Sequence, residues 1–325
     1  MKIRLLTRGE VQQALSMPRA IELMADAFRA LSEGSVQAPV RTNVSNGIGT
    51  MLYKPALMPS ANLFGLKAVS VFPENKKHGL PVTTGLMLVN DAKTGLPLAL
   101  MDAEYLTALR TGAASGLATK LLASPNTETA ALFGTGGQAA CQLQALRLVL
   151  SLKTIHVFSR DPAKAEQFCA THSSSAKDCR LVPGTDLAVL SECGVITTAT
   201  TGKSPVFHDD QIAAGTHING IGSFTPDSAE VPAETVFRAS VFVDQRDAAM
   251  TEAGDLVQPI RNGLLPPAFS PAELGEVLLG KRPGRTNPNE ITFFKSVGNA
   301  AQDIVCAAEI LTVANRQNLG LVFRF

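Results

Sequence analysis

The chain has 325 residues and a formal net charge of +1, from 29 basic and 28 acidic side chains. This balance, without a basic run interleaved with aromatic residues, excludes the usual signature of a nucleic-acid-binding protein. A hydrophobic fraction of 45% fits a packed protein of two domains or of one large α/β domain.

The N-terminal residues carry no apolar run long enough for a signal peptide, and no run approaches the roughly 20 apolar residues of a membrane-spanning helix. We therefore expect a cytoplasmic protein that has no membrane partner. The five cysteines are odd in number and lack the spacing of a metal site, so we expect reduced thiols and no bound metal.

The first third of the chain predicts an amphipathic helix followed by an antiparallel sheet. Apolar residues recur at helical spacing over 18–34, with proline near the start and glycine at the end. Short strand-like runs broken by turns come next, at 49–59, 63–73, 83–91 and 96–102. A helix rich in alanine and glycine is predicted over 103–123, after which "SPNTET" breaks the chain.

From residue 129 the pattern changes to alternating strands and helices, which is typical of a doubly wound parallel sheet of the Rossmann type. The predicted strands lie at 129–134, 154–160, 194–200, 216–222, 240–244 and 291–297. A long helix over 298–317 is expected to pack back on the first domain. The expected fold class is α/β, with an α+β domain formed by both chain ends (1–123 and 299–325) and a Rossmann domain over 124–298.

The glycine-rich stretch "FGTGGQAA" (133–140) lies between a predicted strand and a predicted helix. Gly134 permits a tight turn, Gly136 leaves room for a pyrophosphate, and Ala139 lets helix and strand approach. The positive end of the helix would then face the phosphates. The candidate cofactor-binding residues of this stretch are Gly134, Thr135, Gly136, Gly137, Gln138 and Ala139.

The second strand of this domain ends in "VFSRD" (157–161), where NAD-binding proteins usually carry an acid for the ribose hydroxyls. Ser159 stands at that position and Arg160 follows it, a pair that suits a 2′-phosphate better than a diol. Asp161 comes two residues late and fits the cap of a helix that starts at Pro162. We therefore expect NADP(H) as the preferred cofactor, with NAD(H) as the alternative.

Several segments, in this order, resemble the ornithine cyclodeaminase/mu-crystallin family: "APVRTN" (38–43), "GLKAVSVFPEN" (65–75), "TGLPLALMDAEYLTALRTGAASGLA" (94–118), "FGTGGQAACQLQAL" (133–146) and "VGNAAQDIVCAAE" (297–309). The resemblance implies an N-terminal substrate-binding and dimerisation domain, a Rossmann domain and an active site between them. It also implies a homodimer that acts on a small imino or amino acid. Because the family includes cyclodeaminases, an alanine dehydrogenase and reductases of cyclic imino acids, the resemblance does not choose the reaction.

The resemblance assigns the substrate carboxylate to Arg41 and Arg110, and a guanidinium fork does pair with both carboxylate oxygens. The sequence leaves a surface salt bridge open as the alternative, more so for Arg41. Lys67 lies in an apolar run, where a lysine is costly unless it is paired or used. Its expected role is to hold the carboxylate and to deliver or orient a proton at the imine nitrogen; the alternative is an edge-strand lysine with a solvated head.

The loop 219–231 bears on the choice of reaction. The resemblance implies that a cyclodeaminase carries an aspartate two residues after Gly222, and Phe224 stands there. A phenyl ring neither accepts an ammonium group nor activates water, so cyclodeamination is disfavoured. Asp227, which mu-crystallin-like reductases share, or Glu230 would substitute if the loop bent inward. Both also fit solvent-facing or helix-capping residues, because "PDSAE" (226–230) looks like a helix start.

Further cofactor contacts are expected where open α/β sheets bind ligands, at the carboxyl ends of the strands, and beside the substrate arginine. These candidates are Thr111, Thr198, Ala199, Thr200, Ile221, Gly222, Val297 and Gly298. Phe224, Asp227 and Asn299 are the further candidates for substrate binding.

These observations predict an NAD(P)H-dependent reductase of a cyclic imino acid, which converts Δ1-pyrroline-2-carboxylate to L-proline or the six-membered homologue to L-pipecolate. The alternatives within enzymes are an ornithine cyclodeaminase and an alanine dehydrogenase. The alternative from another class is a non-catalytic nucleotide- or small-ligand-binding protein of mu-crystallin type.

Overall fold

The computed structural model describes residues 2–173 and 179–324. The chain divides into two compact units, which we call unit 1 (1–110 with 298–325) and unit 2 (111–297). The change from one unit to the other falls inside a single helix, α3 (Ala103–Leu122). The domain crossing predicted near residue 123 lies at the end of the same helix, and the predicted domain limits stay a prediction.

Unit 1 contains a seven-stranded sheet with the strand order β15-β1-β6-β5-β4-β3-β2. Strands β2 to β6 form the antiparallel succession that the sequence predicts. Strand β1, which the sequence did not predict, pairs with β6 in parallel. The strands are β1 (Lys2–Leu6), β2 (Thr42–Ser45), β3 (Thr50–Met58), β4 (Leu63–Val71), β5 (Thr83–Asp91), β6 (Pro97–Asp102) and β15 (Leu321–Arg324).

One face of this sheet is covered by helices. Helix α10 packs against β3, β4 and β5 and against α2, as the sequence predicts for the C-terminal helix. Burial alternates along β4, so that Gly65, Lys67 and Val69 face inward while Phe64 and Leu66 are exposed. The helices of unit 1, besides the first half of α3, are α1 (Arg8–Ala14), α2 (Met17–Glu33) and α10 (Ala300–Gln317).

Unit 2 contains an eight-stranded sheet with the order β13-β12-β14-β11-β10-β7-β8-β9, and all of its described pairings are parallel. Ala130 and Leu132 belong to one buried cluster and Ala131 and Phe133 to another, because neighbouring residues of a strand face opposite sides. The sheet is therefore covered on both faces, which confirms the doubly wound α/β fold.

The order of the strands places β7 between β8 and β10, so that successive strands are added on one side of β7 up to β9 and on its other side from β10 onwards. Ligands of open α/β sheets bind outside the carboxyl ends of the strands at such a point. The strands are β7 (Thr129–Phe133), β8 (Thr154–Phe158), β9 (Arg180–Pro183), β10 (Val195–Thr198), β11 (His217–Gly220), β12 (Ser240–Val243), β13 (Ala272–Glu273) and β14 (Thr292–Lys295).

The helices of unit 2 follow these strands, and several short ones were not predicted from the sequence. They are α4 (Ala139–Val149), α5 (Pro162–His172), α6 (Ala233–Arg238), α7 (Arg246–Glu252), α8 (Gly254–Arg261) and α9 (Leu274–Leu278). Among the described residues, no helix is both long and apolar enough to cross a bilayer.

Candidate active site

The glycine loop of unit 2 has the backbone that a pyrophosphate needs. Gly134 follows β7 with φ +105°, and a Cβ there would collide with the carbonyl oxygen of Ala199. At Gly136 and Gly137, by contrast, a Cβ would meet nothing within 4 Å, so the space in front of these residues is open. Helix α4 begins at Ala139, directly behind this space. Bare backbone at a helix N-terminus next to open space fits a dinucleotide phosphate.

The end of β8 carries no carboxylate where an NAD site usually has one. Ser159 is half-buried and Arg160 is exposed, and the Ser159 hydroxyl oxygen accepts a hydrogen bond of 3.4 Å from the Asp161 amide. Helix α5 begins at Pro162, as predicted, with Asp161 at its N-cap position. The Asp161 side chain makes no capping hydrogen bond and lies 3.9 Å from the Lys164 ammonium.

Glu230 organises the loops that follow β10 and β11. It is fully buried, and its carboxylate accepts hydrogen bonds from the amides of Thr200 at 2.7 Å, Gly222 at 2.6 Å and Ser223 at 3.0 Å. The Thr198 hydroxyl donates a fourth bond at 3.1 Å. Both carboxylate oxygens are therefore occupied, and Glu230 is neither a solvent-facing residue nor a substitute for the missing acid.

The rest of the 219–231 loop also differs from the expectation. The helix start expected at 226–230 was wrong, because α6 begins at Ala233. Asp227 is exposed, and Phe224 packs against the core cluster of unit 2 that contains Ile218 and Val231. Phe224 thus stands where a cyclodeaminase is expected to have an aspartate, and neither Asp227 nor Glu230 replaces that acid.

A second buried network in unit 2 holds this loop from behind. Lys295, fully buried at the end of β14, donates to the Ser223 hydroxyl oxygen at 2.7 Å and pairs with Asp255 at 2.7 Å. Asp255 also accepts hydrogen bonds from the amides of Glu230 at 2.7 Å and Val231 at 3.0 Å. Burial alone would raise the pKa of Asp255, but Lys295 and the hydrogen bonds lower it below its ordinary value.

Unit 1 brings together two of the predicted substrate residues around one carboxylate, Asp303 of α10. Lys67 is 1% exposed and donates to Asp303 at 2.6 Å and to the Thr107 hydroxyl oxygen at 3.1 Å. Arg110 is 4% exposed and donates to Asp303 at 3.0 Å and to the Gln302 side-chain oxygen at 2.6 Å. Lys67 is therefore not a solvated edge-strand lysine, and Arg110 is not a surface salt bridge.

Arg41 is half-buried directly before β2, and its positive charge lowers the pKa of both Lys54 and Lys67. It therefore belongs to the same region of positive charge. Lys54 is a member of this region that the sequence reasoning missed. It is 6% exposed, lies opposite Lys67 in the β3–β4 pairing, and donates to the Gly298 carbonyl oxygen at 2.9 Å.

The buried groups of unit 1 have shifted pKa values. Burial, then the charges of Arg110 and Arg41, lower the pKa of Lys67 to about 8 although Asp303 opposes them. Burial, then Lys67 and the two arginines, lower the pKa of Lys54 well below its ordinary value. Burial would raise the pKa of Asp303, but the nearby cations lower it. We call Lys54, Lys67, Arg110 and Asp303 the cation cluster.

The segment before α10 caps this helix and packs against the cation cluster. Asn299 is the N-cap of α10, and its side-chain oxygen accepts from the amides of Ala301 at 3.1 Å and Gln302 at 3.2 Å. These amides are therefore engaged by Asn299. Gly298 has φ +73°, and a Cβ there would collide with the guanidinium of Arg110. This glycine is required both for its backbone conformation and for the packing of Arg110.

Comparisons with known proteins identify the family of this chain. The family model of the ornithine cyclodeaminase/mu-crystallin proteins matches residues 1–318. The chain belongs to this family. A Δ1-pyrroline-2-carboxylate reductase of Bacillus cereus is 35% identical over 318 residues, which are 97% of this chain and 98% of the relative.

Solved structures of the ornithine cyclodeaminase/mu-crystallin family match over the full length. The Δ1-pyrroline-2-carboxylate reductase of Thermococcus litoralis, in complex with NADH and L-proline, has a TM-score of 0.93 and 35% identity, covering 98% of this chain and 99% of that chain. An archaeal alanine dehydrogenase dimer with bound NAD has a TM-score of 0.94 and 33% identity, covering 100% of both chains. Thus both a ketimine reductase and an amino-acid dehydrogenase share this fold.

Proposed function

We propose that this chain is an NAD(P)H-dependent reductase of a cyclic ketimine carboxylate, either Δ1-pyrroline-2-carboxylate, giving L-proline, or Δ1-piperideine-2-carboxylate, giving L-pipecolate. The observation that carries the proposal is the cation cluster, in which Lys67 and Arg110 share the single carboxylate of Asp303. Such a cluster suits a ligand carboxylate. The reductases among the relatives, one of them solved with NADH and L-proline, support the choice of substrate.

In this proposal the substrate carboxylate binds to Arg41, Lys67 and Arg110, which fixes the orientation of the carbon that is reduced. When bound, the dinucleotide supplies the hydride for that carbon. Lys67, with a pKa of about 8, is largely protonated at neutral pH and donates a hydrogen bond or proton towards the imine nitrogen. Phe224, which packs against the core of unit 2, remains a proposed substrate contact.

The dinucleotide is proposed to bind to unit 2. The loop from Gly134 to Ala139 would hold the pyrophosphate, and the loops ordered by Glu230, with Thr200 and Gly222, would hold the nicotinamide end. Thr111, Thr198, Ala199, Ile221, Val297 and Gly298 are proposed as further cofactor contacts. Asp227 and Asn299 remain proposed substrate contacts, although Asp227 is exposed and Asn299 caps α10.

NADP(H) is the proposed preference between the two dinucleotides. The support is Ser159 and Arg160 at the end of β8, where a guanidinium suits a 2′-phosphate. The solved relatives named above contain NADH and NAD, so both cofactors belong in the assay. A kcat/KM with NADH above that with NADPH would reverse the preference.

The proposed assembly is a homodimer formed through unit 1, in a protein that acts in the cytoplasm. The support is the sheet face opposite α10, where Phe64 is 43% exposed and Leu86 is 52% exposed. Light scattering coupled to size-exclusion chromatography tests the dimer, and Leu86→Lys should shift it towards monomer.

Steady-state oxidation of NADPH and NADH with each cyclic imine tests the proposed reaction. Turnover of at least one ring is the expected result. Ammonia release from L-ornithine without net change of the cofactor would instead identify a cyclodeaminase, and ammonia-dependent oxidation of NADH with pyruvate an alanine dehydrogenase. Cofactor binding without any turnover would favour the mu-crystallin type of binding protein.

A further inference from the structure

We propose that Lys54 is a specificity-determining residue, which restricts this site to imino and amino acids that carry no positive charge besides that of the nitrogen on the α-carbon. The inference rests on the proposed function for the place of the substrate carboxylate. It begins from a buried lysine that the proposed reduction does not use.

The position of Lys54 makes it part of the substrate-binding face. It lies directly opposite Lys67 in the antiparallel pairing of β3 with β4, and both lysines are buried. Directly opposite residues of an antiparallel pair point to the same face of the sheet. Like charges at such a pair are unfavourable, so the arrangement requires compensation by a negative charge.

The compensation that the chain supplies is incomplete. Asp303 pairs with Lys67 at 2.6 Å and with Arg110 at 3.0 Å, whereas Lys54 donates to a neutral acceptor, the Gly298 carbonyl oxygen, at 2.9 Å. In the described part of the chain this is the one hydrogen bond of the Lys54 amine. The second oxygen of Asp303 is buried and has no hydrogen-bond partner among the described residues. A buried acceptor of this kind is costly until a hydrogen-bond donor engages it, such as water or an N–H group of the ligand.

A ligand carboxylate supplies the missing negative charge. Before it binds, burial and the neighbouring Lys67, Arg41 and Arg110 lower the pKa of Lys54, and Asp303 opposes them. An additional carboxylate nearby raises the pKa of Lys54 and so favours its ammonium form. The bound carboxylate then balances one of these cations and leaves the region positive.

A second positive charge on the ligand would be repelled by this excess of positive charge. The distal ammonium of a diamino acid would lie in a buried region with Lys54, Lys67 and Arg110, where like charges repel strongly. A methyl group of the same size carries no such penalty. Lys54 therefore separates ring imines and their products from open-chain diamino acids, which are the substrates of a cyclodeaminase.

The test compares two ligands of nearly equal shape, L-ornithine and L-norleucine, in which an ammonium replaces a methyl group. Dissociation constants are measured by calorimetry on the full chain loaded with NADP+ or NAD+. In the unchanged protein we expect L-ornithine to bind at least about thirtyfold more weakly than L-norleucine. In Lys54→Met and in Lys54→Gln this ratio should fall at least about fivefold, and in the exposed control Lys93→Met it should not change.

The ratio is measured on one protein sample at a time, so a variant that folds poorly still reports it from its folded fraction. A ratio near one in the unchanged protein, or an unaltered ratio in both Lys54 variants, would overturn the inference. The same holds if neither ligand binds, because shape and not charge would then exclude L-ornithine. Failure of the proposed function would give a different result, namely no turnover of either cyclic imine and no binding of L-proline.

Discussion

The two units each bury a lysine–aspartate pair, and the difference between the pairs separates a scaffold from a proposed binding site. In unit 2, Lys295 faces Asp255, and the carboxylate also accepts two backbone amides. In unit 1, one carboxylate, Asp303, serves Lys67 and Arg110 while Lys54 makes its bond to a carbonyl oxygen. A buried network that is satisfied within the chain fixes backbone, whereas one that is left positive is suited to an anionic ligand.

The largest expected effect comes from breaking the satisfied pair. Lys295→Met leaves Asp255 buried without its cation, which should cost about 3–5 kcal/mol of the free energy of unfolding. Urea denaturation at pH 7 measures this loss. The matched control is Lys153→Met, which breaks an exposed pair with Glu128 and should cost less than about 1 kcal/mol. Equal losses in the two variants would contradict the scaffold role of Lys295.

Substitution of a cationic residue in the cation cluster should reduce activity more than stability. Arg110→Ala removes the planar partner of the substrate carboxylate, and we expect kcat/KM for the cyclic imine to fall by roughly a hundred- to a thousandfold. Arg110→Lys should recover little, because an ammonium does not bind both oxygens in the fork geometry. Arg8→Ala, an exposed arginine of unit 1, is the control. Activity that survives Arg110→Ala would remove this residue from the proposed site.

The protonation of Lys67 should appear in the pH profile. Its pKa is about 8, and the proposed role needs the ammonium form, which is present below that pKa and lost above it. We expect kcat/KM to fall by about tenfold per pH unit above roughly pH 8. In Lys67→Arg, whose guanidinium stays charged, any remaining activity should lack this fall. A profile that is the same in both proteins would assign the titration to another group.

The smallest expected effect concerns the cofactor. Arg160→Ala removes the proposed contact with the 2′-phosphate, and the ratio of kcat/KM for NADPH to that for NADH should fall about five- to tenfold. Arg180→Ala, an exposed arginine on β9 of the same unit, is the control. An unchanged ratio would show that Arg160 does not distinguish the two cofactors.

Local patterns predicted most of the elements and one of the buried lysines. Strands β7, β8, β10, β11, β12 and β14 and helices α2, α3, α4, α5 and α10 lie where apolar periodicity and turn residues put them. A lone lysine in an alternating apolar strand pointed to Lys67, and the same signal was present one strand earlier at Lys54. It was missed because a proline follows Lys54 and no motif draws attention to it.

The partners of these residues were beyond prediction because they come from distant parts of the chain. Asp303 is 236 positions from Lys67 and 193 from Arg110, and nothing local in helix α10 shows which cation it meets. The sequence left Glu230 open between a substitute for the missing acid, a solvent-facing residue and a helix-capping residue, since the spacing of "PDSAE" suits a helix start. An amide from the loop after β10, two amides from its own loop and the Thr198 hydroxyl converge on it instead, and that convergence depends on the packing of β10 beside β11.

The sequence by itself determined the family, the α/β class and the presence of a glycine-rich loop between strand and helix, because these depend on short-range patterns of glycine, apolar residues and turns. The tertiary structure decided which charges are balanced. Balance is a property of distances between residues far apart in the chain, and it separates the lysine that holds the scaffold, Lys295, from Lys67 and Lys54, whose positive surroundings suit a carboxylate.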